Sequence, residues 1–262
     1  SVLFFTIGIT VYGFETYLQF SQVEIKTQRE VIAKQMGVPY DTRTRMEVLD
    51  DLRDSGVEVF PNTFPHLFRE LNGLTSDKGR IYPLGTISNS TTILSNESGY
   101  YPVIETDEHG FNNPKGLYNK NKVDIMLTGD SFTEGYSVHS NESISAVLRQ
   151  SDFNVISIGK AHNGPLIELA TLKEYAEPLK PKIVLWLYFI NDFGDLNREM
   201  QSSILQMYLN EDDYSQNLIS RQEEIDGVLK NYIQVEWEKE RKKERKRGVI
   251  KITKLYNLRI RI

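Results

Sequence analysis

From Val123 onward the sequence alternates short apolar runs with longer helical patterns, and this alternation constrains the fold more than any other feature. The apolar runs span Val123 to Thr128, Asn154 to Ile158 and Lys182 to Phe189, and helical patterns follow the first two at Ser143 to Arg149 and at Leu166 to Glu177. Nearly unbroken apolar strands separated by helices are typical of a parallel sheet that is buried on both faces. We therefore predict an α/β fold for this part of the chain.

Each predicted strand ends in a polar turn. The first is followed by Gly129-Asp130-Ser131, the second by a turn from Gly159 to Pro165, and the third by Asn191-Asp192. In a doubly wound sheet of order 2-1-3 the first strand lies in the middle, so the turns after the other two flank its own turn. We expect Ser131, Gly164 and Asn191 to converge at the carboxyl edge of the sheet.

A serine at the end of a strand and the start of a helix is a candidate nucleophile, and Ser131 has this position. Acyl transfer to a serine hydroxyl requires a base that takes its proton and fixed donors that stabilise the oxyanion. The backbone N–H of Ser131, a backbone N–H of the turn from Gly159 to Gly164, and the side-chain amide of Asn191 are candidate donors. The amide of asparagine suits this role because it donates without a charge that titrates.

The three turns resemble the first three sequence blocks of the SGNH, or GDSL-type, hydrolases, in their order and in their spacing. A longer stretch is similar to bacterial membrane-anchored members of that family. The residues that carry the resemblance are Gly129-Asp130-Ser131-Phe132, Asn163-Gly164-Pro165, Phe189-Ile190-Asn191-Asp192, Thr106-Asp107, Gly110-Phe111-Asn112-Asn113-Pro114 and Pro181-Lys182-Ile183-Val184-Leu185-Trp186.

The resemblance implies a flavodoxin-like, three-layer sandwich, with Ser131 as the nucleophile and Asn191 as an oxyanion donor. It also implies that Asp130 and Asp192 shape their turns and are not catalytic acids, and that Gly129 supports the same site. Where the family often has glycine in its second block, this chain has Ala161-His162, so the second backbone donor is either His162 or Gly164.

The family's catalytic base is a histidine in a C-terminal Asp-x-x-His block. His162 is the last histidine of this sequence, and no such block follows it. We expect the block, preceded by one or two strands, in sequence beyond Ile262, so that the SGNH-like domain is incomplete at its C-terminus here and this chain alone is inactive. A role for His162 as a substitute base stays open.

The activity that the resemblance implies is that of a serine esterase or acyltransferase that forms an acyl-serine intermediate. Its substrate would be an ester, such as an O-acetyl group of a surface polysaccharide, and it would need no cofactor. The alternative is a non-catalytic protein that keeps the SGNH fold for binding or scaffolding.

Two further expectations concern side chains away from the three turns. His66, His109 and His139 lie among turn residues without a carboxylate or a second histidine at metal-ligand spacing, so we expect them to face solvent and we predict no metal site. Trp186 and Tyr188 lie in the most apolar of the three runs, and we expect both in the core.

The first 120 residues differ in character from the rest. Val2 to Phe14 is apolar, and we read residues 1–22 as the remnant of a membrane anchor or signal segment that would hold the protein at the extracytoplasmic face of a membrane. Residues 23–120 form an irregular extension with one helix from Thr44 to Ser55, stopped by Gly56. Residues 121–262 form the SGNH-like domain, which becomes mostly helical after Asp192; a further strand within it could come only from Val249 to Ile252.

The charge is unevenly distributed along the chain. The net charge is −5, but Lys239 to Ile262 alone carries +9, which leaves −14 on the remainder. A basic run can follow nucleic acid or anionic lipid, but glutamates interspersed at helical spacing favour a solvated helix, and we predict no nucleic-acid partner. The sequence contains no cysteine, which excludes disulfides and thiolate catalysis.

Overall fold

A computed structural model describes residues 2–20, 28–119, 122–190 and 192–253. The chain divides into two compact units, one formed by residues 39–233 and the other by residues 1–38 together with residues 234–262. The helices are α1 (Val2–Phe20), α2 (Gln28–Met36), α3 (Arg45–Asp54), α4 (Ser131–Glu134), α5 (Ile144–Arg149), α6 (Pro165–Thr171), α7 (Asp192–Glu199), α8 (Ser203–Asn210) and α9 (Gln222–Thr253). The strands are β1 (Leu74–Ser76), β2 (Gly79–Ile81), β3 (Thr91–Ile93), β4 (Val103–Glu105), β5 (Ile125–Gly129), β6 (Val155–Ser157) and β7 (Ile183–Leu187).

The central sheet of the larger unit is parallel and has the order β6-β5-β7. This is the predicted order 2-1-3, with the first strand in the middle. Ile125 of β5 pairs with Val155 of β6 and with Ile183 of β7, so the carboxyl ends of the three strands lie at one edge. The predicted α/β class and the three predicted strands are therefore confirmed.

Helices pack against both faces of β5 and β6, whose apolar side chains alternate between the two sides of the sheet. Met126 and Ile156 belong to the main core, which contains Leu166 and Ile167 of α6. Ile125, Leu127 and Val155 face the other way, where Leu148 of α5 packs against them. The helix predicted to reach Glu177 is α6 followed by a π-helical turn, Leu172–Ala176.

Strand β7 is the outer strand of the sheet and differs from the expectation of a buried strand. Among the described residues only β5 pairs with it, and its other edge has no partner strand. The prediction that Trp186 and Tyr188 belong to the core is wrong, since their exposed fractions are 44% and 50%. The apolar sequence of β7 predicts a strand, but it does not predict whether that strand has one neighbouring strand or two.

The extension before β5 forms short antiparallel pairs, β1 with β2 and β3 with β4, and it belongs to the same compact unit as the parallel sheet. Helix α3 begins as predicted, with a capping box between Thr44 and Glu47. The buried segment that follows β4 is held by Asp107, which accepts from the amide of Asn113; the same amide reaches the Ser157 carbonyl of β6 at 2.7 Å. The motif around Asn113 thus fixes the extension to the sheet.

The smaller unit is helical over its described residues. No described helix is both long enough and apolar enough to cross a membrane. The chain after Asp192 is helical as predicted, but Val249 to Ile252 lies within α9, so a strand at this position is wrong. Lys239 and Lys243 of α9 pair with Glu236 and Glu240 at helical spacing, as expected for a solvated helix.

Candidate active site

The turn after β5 presents Ser131 as the first residue of α4. Gly129 has φ +151°, and a Cβ there would lie 2.6 Å from the Leu187 carbonyl oxygen, so only glycine lets β5 end this close to β7. Asp130 caps α4, because its carboxylate accepts from the Phe132 N–H at 3.1 Å. The Ser131 hydroxyl makes no hydrogen bond to a described residue and is partly exposed.

The turn after β6 lies directly beside the turn after β5, since the Lys160 N–H donates to the Gly129 carbonyl at 3.2 Å. His162 adopts a left-handed backbone conformation with φ +65°. This conformation is costly for residues with a Cβ and is the one that glycine tolerates. His162 therefore has a backbone conformation that a glycine would adopt at lower cost.

The structure distinguishes the two backbone donors that the sequence leaves open. The Gly164 N–H donates to Glu199 Oε1 at 2.6 Å and is already occupied. A Cβ at Gly164 would lie 2.7 Å from the Asp195 side chain, so the glycine here serves the close approach of α7. The backbone N–H groups of Ser131 and His162, in contrast, make no hydrogen bond to any described residue.

The turn after β7 reaches the same edge of the sheet. Asp192 is fully buried and its carboxylate accepts from the Phe189 N–H at 2.7 Å, which closes this turn. The rings of Phe132 and Phe189 lie 5.5 Å apart, so the residue next to Ser131 contacts the turn after β7. Asn191, the predicted side-chain donor, lies outside the described residues.

The extension contributes a histidine that the sequence did not place at this site. The ring of His66 lies edge-on to that of His162, with centroids 4.7 Å apart, and its buried Nδ1 has no hydrogen-bond partner among the described residues. Burial, with a smaller effect of His162, lowers the pKa of His66 to about 4. His162 itself is exposed.

The expectation that three histidines face solvent is wrong for two of them. His66 is half-buried, and His109 is 8% exposed, with Nδ1 3.2 Å from the Gln222 side-chain oxygen. His139 is exposed as expected, and its ring stacks on Tyr100. No group of three or more His, Asp or Glu side chains that could hold a metal ion occurs in the part of the chain that the structure describes.

A buried ion pair joins the first two turns to the extension. Lys160 Nζ lies 2.5 Å from Glu134 Oε1, and both side chains are almost completely buried. Lys160 Nζ also donates to the amide oxygen of Asn62 at 2.7 Å, and Glu134 Oε2 accepts from the Ala161 N–H at 2.8 Å. Because burial of an unpaired charge is costly, this network holds the two turns in one fixed relation.

Buried carboxyl groups surround the carboxyl edge of the sheet. Burial raises the pKa of Glu199 to about 7, against hydrogen bonds from the backbone at Gly164, Leu166 and Ile167. Burial likewise raises the pKa of Glu168 to about 8, although Glu168 Oε2 accepts from Trp186 Nε1 at 2.5 Å. The pKa values of Asp130 and Asp192 are also raised, again mainly by burial.

No known family model, curated protein or solved structure matches this chain.

Sequence reasoning missed four residues that this geometry brings to the three turns: His66, Glu134, Lys160 and Glu199. Each of them contacts a residue that is distant in the sequence, as Lys160 contacts Asn62. Two weak signals were available. Lys160 comes two residues after the predicted strand that ends at Ile158, and Glu134 follows the candidate nucleophile by one helical turn. Both charged residues therefore lie close to the ends of strands predicted to be buried.

Proposed function

We propose that this protein is a serine esterase or acyltransferase in which Ser131 forms an acyl-enzyme. One observation carries the proposal: Ser131 starts a helix at the carboxyl end of the central strand, and the backbone N–H groups of Ser131 and of His162 in the adjoining turn make no hydrogen bond to a described residue. Unpaired donors beside a free hydroxyl are what the oxyanion of acyl transfer requires.

The proposed reaction has two steps. The Ser131 oxygen adds to the ester carbonyl, and the alcohol leaves with the proton that the serine loses, so an acyl-serine remains. Water or a sugar hydroxyl then attacks the same carbonyl and releases Ser131. The resemblance to SGNH hydrolases suggests an O-acetyl group of a surface polysaccharide as substrate, and product analysis with and without a glycan acceptor separates hydrolysis from transfer.

An alkyl fluorophosphonate probe tests the proposal, because an activated serine displaces fluoride and keeps the phosphonate. We expect labelling of the full-length protein at Ser131, and complete loss of labelling in Ser131→Ala. Ser140→Ala, which removes an exposed hydroxyl nearby in sequence, is the matched control and should label normally. A natively folded protein that remains unlabelled, or labelling that survives in Ser131→Ala, would refute the proposed esterase or acyltransferase activity of Ser131.

His162 can serve through its backbone N–H or through its ring, and one substitution separates the two. Glycine tolerates φ +65° and keeps the N–H, so His162→Gly removes only the imidazole. If the N–H is the oxyanion donor, we expect labelling of His162→Gly within about threefold of wild type. A loss of labelling would instead assign the role of base to the ring.

One observation favours a second candidate function, a non-catalytic binding or scaffolding protein. The Ser131 hydroxyl is hydrogen-bonded to none of the described residues, so it lacks the hydrogen bond to a histidine that an activated serine has. The same probe decides between the two functions, since a scaffold with the native fold would not label at all.

We also propose that α1 attaches the protein to a membrane, with the larger unit on the extracytoplasmic side. The support is an unusual exposure of large apolar side chains on this helix: Ile9, Phe14 and Tyr17 are 60%, 49% and 64% exposed. Exposed apolar surface of this kind is typical of interaction with lipid or with another apolar partner. Sedimentation with phospholipid vesicles tests the attachment.

A further inference from the structure

A pocket of about 320 Å³ opens beside the candidate nucleophile. Ser131 lies at its border, and its apolar lining comes from Phe132, Tyr136, Val138 and Ile144, between α4 and the start of α5. Its volume is at the lower end of the range that small-molecule sites occupy. The pocket is thus sized for a small apolar group attached to the atom that Ser131 would attack.

The extension holds one wall of this pocket in place. The Ser95 N–H donates to the Tyr136 carbonyl at 2.9 Å, and the Ser98 hydroxyl donates to the Ser137 carbonyl at 2.7 Å. The ring of Tyr136 also packs edge-on against Phe64, with centroids 5.6 Å apart. Contacts from two parts of the extension, Phe64 and the segment from Ser95 to Ser98, therefore hold Tyr136 and Ser137 of the lining in place.

The chemistry of the lining limits what the pocket can hold. Burial raises the pKa of Tyr136 to about 12, so its phenol stays neutral. Among the described residues of the lining, Glu97 and Glu142 are charged and none is a lysine or an arginine. An acyl chain that carries its own carboxylate would therefore meet two like charges at the wall of the pocket.

We propose that this pocket binds the acyl group of the ester, and that it takes a short, uncharged alkyl chain. This inference rests on the proposed function, because it treats Ser131 as the atom to which the acyl group becomes attached. It adds a limit on chain length, set by the volume, and a selection against anionic acyl groups, set by Glu97 and Glu142.

A cysteine at position 131 makes the pocket testable without any catalytic base. The natural sequence contains no cysteine, so Ser131→Cys introduces a single thiol. Alkyl methanethiosulfonates react with it when the thiolate attacks the sulfenyl sulfur, forming a mixed disulfide and releasing methanesulfinate. The second-order rate is measured for methyl to octyl reagents, and the rates for Ser151→Cys, an exposed site outside the pocket, correct for intrinsic reactivity.

We expect the corrected rate at position 131 to rise by up to about fourfold for each methylene that enters the pocket, and then to fall once the chain exceeds it. Val138→Trp and Ile144→Trp, each combined with Ser131→Cys, fill the pocket and should abolish the rise. Ile144 is 41% exposed, so its variant is the safer one for folding. Val147→Trp, at a 53% exposed position of α5 outside the lining, is the matched control and should leave the rise unchanged.

Two results would overturn the inference. One is a corrected rate that does not depend on chain length or that does not respond to the filling variants. The other is a clear preference for aminoethyl methanethiosulfonate over neutral reagents, which would show that Glu97 and Glu142 select a cation. Neither result depends on acyl transfer. Failure of this inference can therefore be distinguished from failure of the proposed function, which fluorophosphonate labelling of Ser131 tests.

Discussion

Glu168 is a buried carboxyl whose surroundings change its charge state. It is fully buried on α6; among the described residues its Oε1 has no hydrogen-bond partner, and its Oε2 accepts from Trp186 Nε1. Burial raises its pKa to about 8, and the neighbouring carboxyls of Asp192 and Glu199 add to the shift. The folded protein therefore holds this proton at pH values where an unfolded chain has released it.

We predict that the free energy of unfolding falls as pH rises from about 4.5 to about 8, because a carboxyl with a raised pKa stabilises the fold only while it is protonated. This group contributes a slope of at most about 1.4 kcal/mol per pH unit. Glu168→Gln should make the dependence shallower and should raise stability at pH 8. Some dependence should remain, since the pKa of Glu199 is about 7 and that of Asp107 about 6.

Chemical denaturation from pH 5 to pH 8 measures this slope. The fluorescence of Trp186, which is the only tryptophan in a Trp237→Phe background, reports the protonation of Glu168 directly. We expect this fluorescence to change with pH with a midpoint near pH 8, and we expect Glu168→Gln to abolish the change. Glu177→Gln, at an exposed position, is the control and should change neither result. An equal slope in wild type and Glu168→Gln would contradict the prediction.

At the scale of residues the sequence predicted what depends on neighbours in the chain. The turn Gly129-Asp130-Ser131 could be predicted because the strand end, the helix cap and the serine are adjacent in the sequence. The structure confirms that Asp130 caps α4. The contacts of His66 with His162 join turns that are far apart in sequence, and no periodicity or spacing encodes them. The hydrogen bond from the Gly164 N–H to Glu199 could not be predicted from the sequence for the same reason.

At the scale of elements, hydrophobic periodicity predicted the three parallel strands and their order but not their surroundings. An apolar run has the same appearance whether one or two neighbouring strands cover it. The described part of β7 has one neighbour, and side chains on both of its faces, such as Val184 and Leu185, are 43% and 36% exposed. An exposed apolar edge of this kind is a site where chains associate.

We therefore predict that the 262-residue chain self-associates through β7 and that Val184→Lys reduces this association several-fold. A lysine on an outer strand adds charge to the edge and opposes pairing with a second copy. Light scattering or analytical ultracentrifugation over a range of protein concentrations measures the effect. Val147→Lys, at an exposed apolar position on α5, adds the same charge away from the edge and should leave association unchanged. Equal association of both variants would exclude β7 as the interface.

At the scale of the whole molecule, the units do not follow the change in sequence character near residue 120. Residues 39–233 form one compact unit that contains both the irregular extension and the parallel sheet. Side chains of the extension, among them Phe68, Tyr82 and Phe111, share one core with Leu166 of α6 and Leu229 of α9. The extension is thus part of the body that positions Ser131, and α9 begins inside that body.

We predict that a chain of residues 39–233 folds alone, with a single cooperative unfolding transition by circular dichroism, because it keeps this entire core. A chain of residues 39–217 is the matched control: it lacks Leu218, Ile225 and Leu229, which are fully or almost fully buried, and should not fold cooperatively. The 39–233 chain also lacks α1, so it should remain in solution when the 262-residue chain sediments with phospholipid vesicles. Loss of folding in the 39–233 chain would refute the division into units, and vesicle binding by a folded 39–233 chain would refute attachment through α1.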